Sequence, residues 1–445
     1  MSNTMIEQLP KYKAYRDSGV EWLGHIPSTW QLRRFKYLLD EVNERSDSGK
    51  EELLSVSQYT GVTKKSDKVQ NGELLTNAAS LEGYKIVRKG YLVSNIMLAW
   101  NGSLGVSPYN GITSPAYSVY RFENQCLESY YHYLLRTEPY KAEFKRKSTG
   151  VIESRLRLYS DDFFDVIGLL PPYDEQISIA TFLDKKTSQI DEAIAIKQKQ
   201  IELLKERKQI IIQQAVTQGL NPDAPMKDSG VDWVGIIPEH WSVKKLRYLG
   251  NTQNGISAGS EYFGEGYPFV SYGDVYKNRE LPTKVDGLAK STLGDQKLYS
   301  VLSGDVFFTR TSETADEIGF ASTCFRTILN ATFAGFLIRF RPDSGQLTKE
   351  YSKYYFNAPM LREYFVKEMN LVIRASLSQE LLKNLMVVLP PEEEQLQIFE
   401  FLEAQSSIFD NAVDTYKSQI EKLKEYKTTL INSAVTGKIK VTELA

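Results

Sequence analysis

Apolar side chains recur at Ile190, Ile194, Ile201, Leu204, Ile211 and Ala215, and Lys197 and Lys208 fill the two gaps. Steps alternating between four and three residues are the seam of a heptad repeat, so residues 174–217 are predicted to form one long helix. The pattern returns 219 residues later at Phe409, Val413, Tyr416, Ile420, Leu423, Lys427, Leu430 and Ala434. Two such stripes in one chain can bury each other as a coiled coil.

The stretches between them read as mixed strand and helix. Residues 52–56 and 268–272 are short apolar runs leading into polar turns, the second at Gly273 and Asp274, while 91–93 and 306–308 follow a glycine turn as hydrophobic strands. Residues 128–147 and 349–367 carry helical patterns, broken or restarted at Pro139 and Pro359. The Pro/Gly-rich 219–230 ends the first long helix. The expected fold class is α+β, with globular regions at 1–173 and 221–389 and long helices at 174–220 and 390–445.

An internal duplication sets this order. DSGVEWLGHIPSTWQLRRFKYL at 17–38 matches DSGVDWVGIIPEHWSVKKLRYL at 228–249 in 11 of 22 positions, and 171–217 matches 390–436 in 21 of 47, through PPxxEQ, FL, QIE, LKE and AVT. The middles share little. A helix of ~43 residues is ~64 Å long, whereas a domain of ~170 residues has a radius of gyration near 15 Å. The second helix is therefore expected to run antiparallel to the first, with one domain at each end under a pseudo-two-fold axis.

Composition narrows the class. At 445 residues, with 42% hydrophobic and 25% charged residues, the chain exceeds one hydrophobic core. It has no run of ~18 apolar residues and no basic and apolar leader at its start, so a cytoplasmic protein without a membrane segment is expected. Cys126 and Cys324 are the only cysteines and His25, His132 and His240 the only histidines, too few and too scattered for a disulfide framework, metal knot or triad. The net charge of −2 means that a basic footprint must be local. Residues 136–157 hold seven basic side chains (Arg136, Lys141, Lys145, Arg146, Lys147, Arg155, Arg157) against three acidic ones, and 353–374 hold four against two.

The paired WxGxIPxxW openings, the PPxxEQxxIxxFL entries to the long helices and the AVT exits, AVTQG in the first copy and AVTG in the second, closely resemble the specificity subunit of type I restriction-modification systems, over nearly the whole chain. The resemblance implies a non-catalytic subunit with two target recognition domains, each reading half of a bipartite sequence in double-stranded DNA, and helices serving as the ruler between them. It also implies docking of two modification subunits and of restriction subunits, which carry S-adenosylmethionine, ATP and Mg; no cofactor or metal is expected in this chain. The alternative left open is a specificity pair from another multisubunit DNA methyltransferase or phage-defence complex. Leu170-Pro171-Pro172-Tyr173 mimics the Asp/Asn-Pro-Pro-Tyr/Phe signature of adenine methyltransferases, but its leucine cannot hold an amino group, and the repeat has Glu392 in place of the aromatic. GxxxxGK[ST] is absent.

Phosphate contacts call for Arg, Lys and small hydroxyl or amide groups, and base contacts favour Arg, Asn and Gln. The candidates in the first region are Ser57, Gln58, Tyr59, Thr60, Lys64 and Lys65, then Asn95, Trp100, Asn101 and Ser103, then Arg146, Lys147, Arg155 and Arg157. In the second they are Tyr272, Asp274, Tyr276, Lys277, Arg310, Thr311, Ser312 and Arg374.

Overall fold

Both heptad stretches are continuous helices, Tyr173–Gln218 and Glu392–Val435, in the computed structural model, which describes residues 6, 8–68, 78, 80–312, 318–343, 345–368 and 375–441. The chain divides into two compact units. One combines Met1–Gln198 with Lys417–Ala445, and the other is Lys199–Tyr416. Each therefore holds one globular region and a share of both helices.

In the first unit an antiparallel four-stranded sheet runs in the order Leu39–Glu41, Tyr117–Phe122, Leu92–Asn95, Leu104–Val106. A hairpin, Leu54–Ser57 with Gly61–Lys64, closes a small apolar cluster of Leu54, Val62, Val87, Val93 and Val119. Two helices follow, Glu128–Leu134 and Glu138–Lys147, with Pro139 in the first turn of the second, where a missing N–H costs nothing. Along the helix pair, Lys427 Nζ meets Asp191 at 2.7 Å and Lys197 Nζ meets Gln419 Oε1 at 2.6 Å. One number rises while the other falls, so the helices are antiparallel here. Ile190, Ile420 and Leu430 are buried, and Ile194 and Leu423 are half-buried against the domain core.

The second unit repeats the sheet as Gly250–Asn254, Leu337–Pro342, Val306–Thr309, Ala321–Thr323. Helices Lys349–Tyr355 and Pro359–Glu368 stand where the first unit has its pair. Lys208 Nζ meets both carboxylate oxygens of Asp410 at 2.8 Å, Val413 is buried, and Ile201, Leu204 and Ile211 are half-buried. One segment departs from the sequence reading. Around Gly273 and Asp274 lies not a simple turn but a single-turn helix, Tyr272–Tyr276, and the preceding strand begins already at Phe263. Its length is set by pairing with Leu288–Ala289 and Thr332–Phe333, partners that no local pattern announces.

The duplicated motifs acquire physical roles. Buried Trp30 donates its indole N–H to Glu175 Oε2 at 2.8 Å, and Trp241 does the same to Glu394 at 2.9 Å, so the second tryptophan of each opening is tied to the glutamate of PPxxEQ. The adjacent glutamines, Gln176 and Gln395, are fully buried and donate to Pro171 O and Pro390 O, stitching each helix start to its domain. Gly437 and Gly219 end the helices at φ +74°, a left-handed conformation suited to glycine at a helix C-terminus. A Cβ there would lie 3.1 Å from Trp30 and Trp241 respectively. Tyr130 donates to Val435 O and Tyr351 to Val216 O, both at 2.9 Å, so each domain binds the last turn of the long helix that it did not itself begin.

Candidate nucleic-acid interface

In the first unit the hairpin turn between Ser57 and Gly61 carries three exposed candidate readers, Gln58, Tyr59 and Thr60. Ser57 Oγ and Thr60 Oγ1 hydrogen-bond at 2.8 Å and Thr60 N donates to Ser57 Oγ at 3.1 Å, which turns Gln58 and Tyr59 outward. Tyr59 is 82% exposed. Lys64 and Lys65 are half-buried on the return strand, Lys64 lying 5.3 Å from the Tyr109 ring centre. Behind the turn, a cleft of about 710 Å³ is lined by Tyr59, Thr60, His132, Arg136 and Lys141, with Lys427 and Asn432 of the long helix. The fold thus brings the nominated turn beside the start of the basic stretch.

The loop from Asn95 to Ser103 is turned inward. Asn95 is buried, donating to Tyr117 Oη at 3.2 Å and accepting from Met97 N at 3.1 Å. Asn101 Oδ1 accepts from both the N–H and the hydroxyl of buried Ser103, and Trp100 donates to Met97 O. These polar groups shape their own loop, which residue type alone cannot reveal. What remains outward is the half-buried Trp100 ring, with Lys145 Nζ 5.2 Å from its centre.

The basic helix end is partly neutralised. Arg146 forks onto buried Glu143 through two bonds of 2.6 Å, and Lys145 pairs with Glu153. Lys147 is half-buried, Arg155 is exposed, and Arg157 donates to Leu156 O while its backbone pairs with Thr149. Val151, 96% exposed, and Ile152 form an apolar tip between them that a search for basic and amide groups passed over.

In the second unit Tyr272, Asp274, Tyr276 and Lys277 cluster on and after the single-turn helix. Asp274 Oδ2 accepts from the Ser271 N–H at 2.8 Å and hydroxyl at 2.7 Å, a capping box that occupies this carboxylate oxygen. The Tyr272 and Tyr276 rings stack at 5.9 Å, and Phe320 meets Tyr276 edge-on with the Arg362 guanidinium 4.0 Å above it. A cleft of about 540 Å³ lies here, lined by Tyr276, Lys277, Arg279, Asn357, Arg362 and Gln209. Arg310 and Thr311 are half-buried, Arg310 Nη1 lying 3.5 Å from Gly335 O. Thr311 and Ser312 pair through their backbones with Ser376 and Ala375, and Arg374 lies outside the described residues.

Burial governs the titratable groups. His132 is held neutral, its pKa lowered to about 4 by desolvation and secondarily by the Arg136 charge, and Nδ1 accepts from Val106 N. Burial raises the Cys126 and Cys324 thiols to about 11 and about 12, far from a reactive thiolate. Among the described residues no His/Cys/Asp/Glu group could hold a metal ion, and no helix is long and apolar enough to cross a membrane.

A family model described as type I restriction modification DNA specificity domain matches residues 238–425. The chain is 25% identical over 386 residues to the type I restriction enzyme MjaVIII specificity subunit of Methanocaldococcus jannaschii, covering 84% of this chain and 86% of that protein. It is 24% identical to the EcoKI specificity subunit of Escherichia coli K12, over 72% of this chain and 68% of that one. Two solved structures share the fold. One comes from work on assembly and conformational transition of the type I R-M system (TM-score 0.68, 16% identity, 92% of this chain and 98% of that one), and the other is the HsdS subunit of Thermoanaerobacter tengcongensis (TM-score 0.55, 17% identity, 93% and 98%). The matched domain, the relatives that span most of the chain and the common fold make this protein similar to the specificity subunits of type I restriction-modification systems.

Proposed function

We propose that the chain reads a bipartite sequence in double-stranded DNA, one half through each unit. The observation that carries this reading is the repetition of one arrangement with different chemistry. In each unit an exposed polar and aromatic element adjoins basic side chains and a cleft, presenting Gln58 and Tyr59 in the first and Tyr276 and Lys277 in the second. A duplicated frame with divergent tips is what two different half-sequences require, since phosphate contacts position and base contacts specify. On this reading the chain performs no catalysis, and S-adenosylmethionine, ATP and Mg belong to its partners.

The docking of two modification subunits and of restriction subunits forms part of the proposal. In the second unit the outer faces of the helix pair keep Leu203, Ile210 and Ile408 exposed. The three occupy equivalent heptad positions, and in an antiparallel pair these lie on one side, which supports a partner helix packing there. Gel-shift titration with duplexes carrying the target, with and without the modification subunit, tests the reading together with sequencing of methylated adenines in cells that carry both. A two-part methylation motif that depends on this chain is expected. Methyl transfer by the isolated chain, or a motif unchanged by Gln58→Ala with Tyr59→Ala, would overturn it.

A further inference from the structure

We propose that Arg136 is the positioning residue of the first reader, a strap that fixes the Ser57–Gly61 turn from behind. The inference rests on the DNA-reading role just proposed and deepens it. Arg136 lies just beyond helix Glu128–Leu134, and its guanidinium crosses to the hairpin. Nη2 donates to Gln58 O and to Tyr59 O, both at 2.9 Å, while Nη1 donates to Leu104 O at 3.2 Å in the central sheet. One planar fork thus references the backbone of the two outward residues to the strand beneath them, a geometry that a point-like ammonium cannot reproduce.

The neighbourhood is cut to fit this group. A Cβ at Gly61, where φ is +70°, would lie 2.6 Å from Arg136 Nη1, and one at Gly105 would lie 3.5 Å from it and 3.1 Å from Gly61 Cα. Both glycines leave the slot through which the guanidinium passes. The charge is met by three carbonyl oxygens, and burial lowers its proton affinity. Because Tyr59 and Gln58 project into solvent, their own side-chain packing supplies little order; the Ser57–Thr60 hydroxyl pair and this strap define where they point. At the equivalent place in the second unit stands Asn357, which donates to Ala321 O, the counterpart of Leu104 O, and to Lys353 O. It reaches the strand but holds no reading element.

The consequence is one-sided. Loosening Arg136 lets the first turn wander and blurs discrimination in one half of the target, while the other half keeps its sharpness. The test uses the full chain with its modification subunit in cells, comparing wild type, Arg136→Gln, Arg136→Lys and Gly61→Ala by sequencing methylated adenines. Wild type must first yield a two-part motif, and failure at that point would strike the DNA-reading role rather than the strap. The half belonging to the first unit is identified as the one altered by Gln58→Ala. Arg136→Gln is expected to raise methylation at single-mismatch sites in that half by tenfold or more relative to cognate sites, with the other half unchanged, and Gly61→Ala to act in the same direction. Arg136→Lys should fall between. Two sharp halves in Arg136→Gln would overturn the proposal. So would equal blurring of both halves, or equal loss of methylation everywhere, because a merely structural residue would give that result.

Discussion

The two units share a sheet order, a helix pair and the tryptophan, glutamine and tyrosine contacts to the long helices, yet they present their proposed reading elements by different means. In the first unit a hairpin turn is held from outside by Arg136. In the second a single-turn helix is held from within by the Ser271–Asp274 capping box. The contacts kept in both copies, such as Trp30 with Glu175 and Trp241 with Glu394, all serve the frame. What was duplicated and retained is therefore the mount, and what diverged is the tip, together with whatever braces it.

The comparison breaks most completely where the frame meets the helices. Leu430 is fully buried in the first unit's core, whereas Ile211, its counterpart 219 residues earlier, is half-buried beside buried Ile212. Leu430→Asp removes apolar burial and inserts an unpaired carboxylate, at a cost of about 5 kcal/mol, while Ile211→Asp should cost about half as much. Leu204→Asp and Leu423→Asp, both at half-buried seam positions, belong with the milder group. Thermal melting ranks the four variants, and equal losses at Leu430 and Ile211 would show that the two cores grip the helices alike.

Acid should separate the units next. His132 occupies the place that Lys353 fills in the second unit, where the ammonium pairs with Glu403 at 2.6 Å and Glu280 at 3.1 Å. The His132 pKa falls to about 4 when folded, against roughly 6.5 when unfolded. Below 6.5 the unfolded state binds the extra proton, so stability is fully present above that pH and is lost as pH falls toward 4. The loss reaches at most roughly 3 kcal/mol. Denaturant melts at pH 7 and pH 4.5 check this, with His132→Gln expected to flatten that part of the decline. An equal decline in the variant would assign the acid sensitivity elsewhere.

Much of the frame was legible because periodicity and repetition are properties of the chain itself. The seam from Ile190 to Leu430, the strands at 91–93 and 306–308, and the helix restarts at Pro139 and Pro359 all follow from local spacing and from what proline permits. The interface was less legible, because exposure depends on partners distant in sequence. Asn95, Asn101 and Ser103 have the residue types of DNA readers, yet Asn101 and Ser103 bond each other and Asn95 bonds Met97 N and the Tyr117 hydroxyl. Arg136 contributed only a charge to a count, although its bonds to residues 77 and 78 positions away make it a structural centre of the first reader. Asp274 looked like a contact residue and serves as a cap.

Removing one hydroxyl from each unit tests whether the mounts are equivalent. Tyr130→Phe leaves Val435 O without its donor, and Tyr351→Phe does the same to Val216 O and also removes the bond to Val388 O. Each should cost about 1–2 kcal/mol, the penalty of an unsatisfied buried carbonyl. Urea melts that show one variant neutral would mean that only one helix end needs its domain.

The smallest effect concerns the readers themselves and follows from how each is braced. Ser271→Ala deletes the side chain that accepts from Asp274 N and donates to Asp274 Oδ2, so the single-turn helix loses half of its capping box, a change worth about 1 kcal/mol. A helix of five residues has no further turns to share that loss, so Tyr272 and Tyr276 should lose their stacked register. Ser57→Ala removes the comparable hydroxyl from the first reader, but Arg136 still holds Gln58 O and Tyr59 O, and the cost should stay within about 0.5 kcal/mol. Amide hydrogen exchange over the two segments reads this difference. Faster exchange is expected at 272–276 in Ser271→Ala, with little change at 58–61 in Ser57→Ala. The double variant Ser57→Ala with Arg136→Gln should then exceed the sum of its parts, because two braces on one turn substitute for each other until both are gone. Strict additivity would mean that hydroxyl pair and guanidinium hold different parts of the turn.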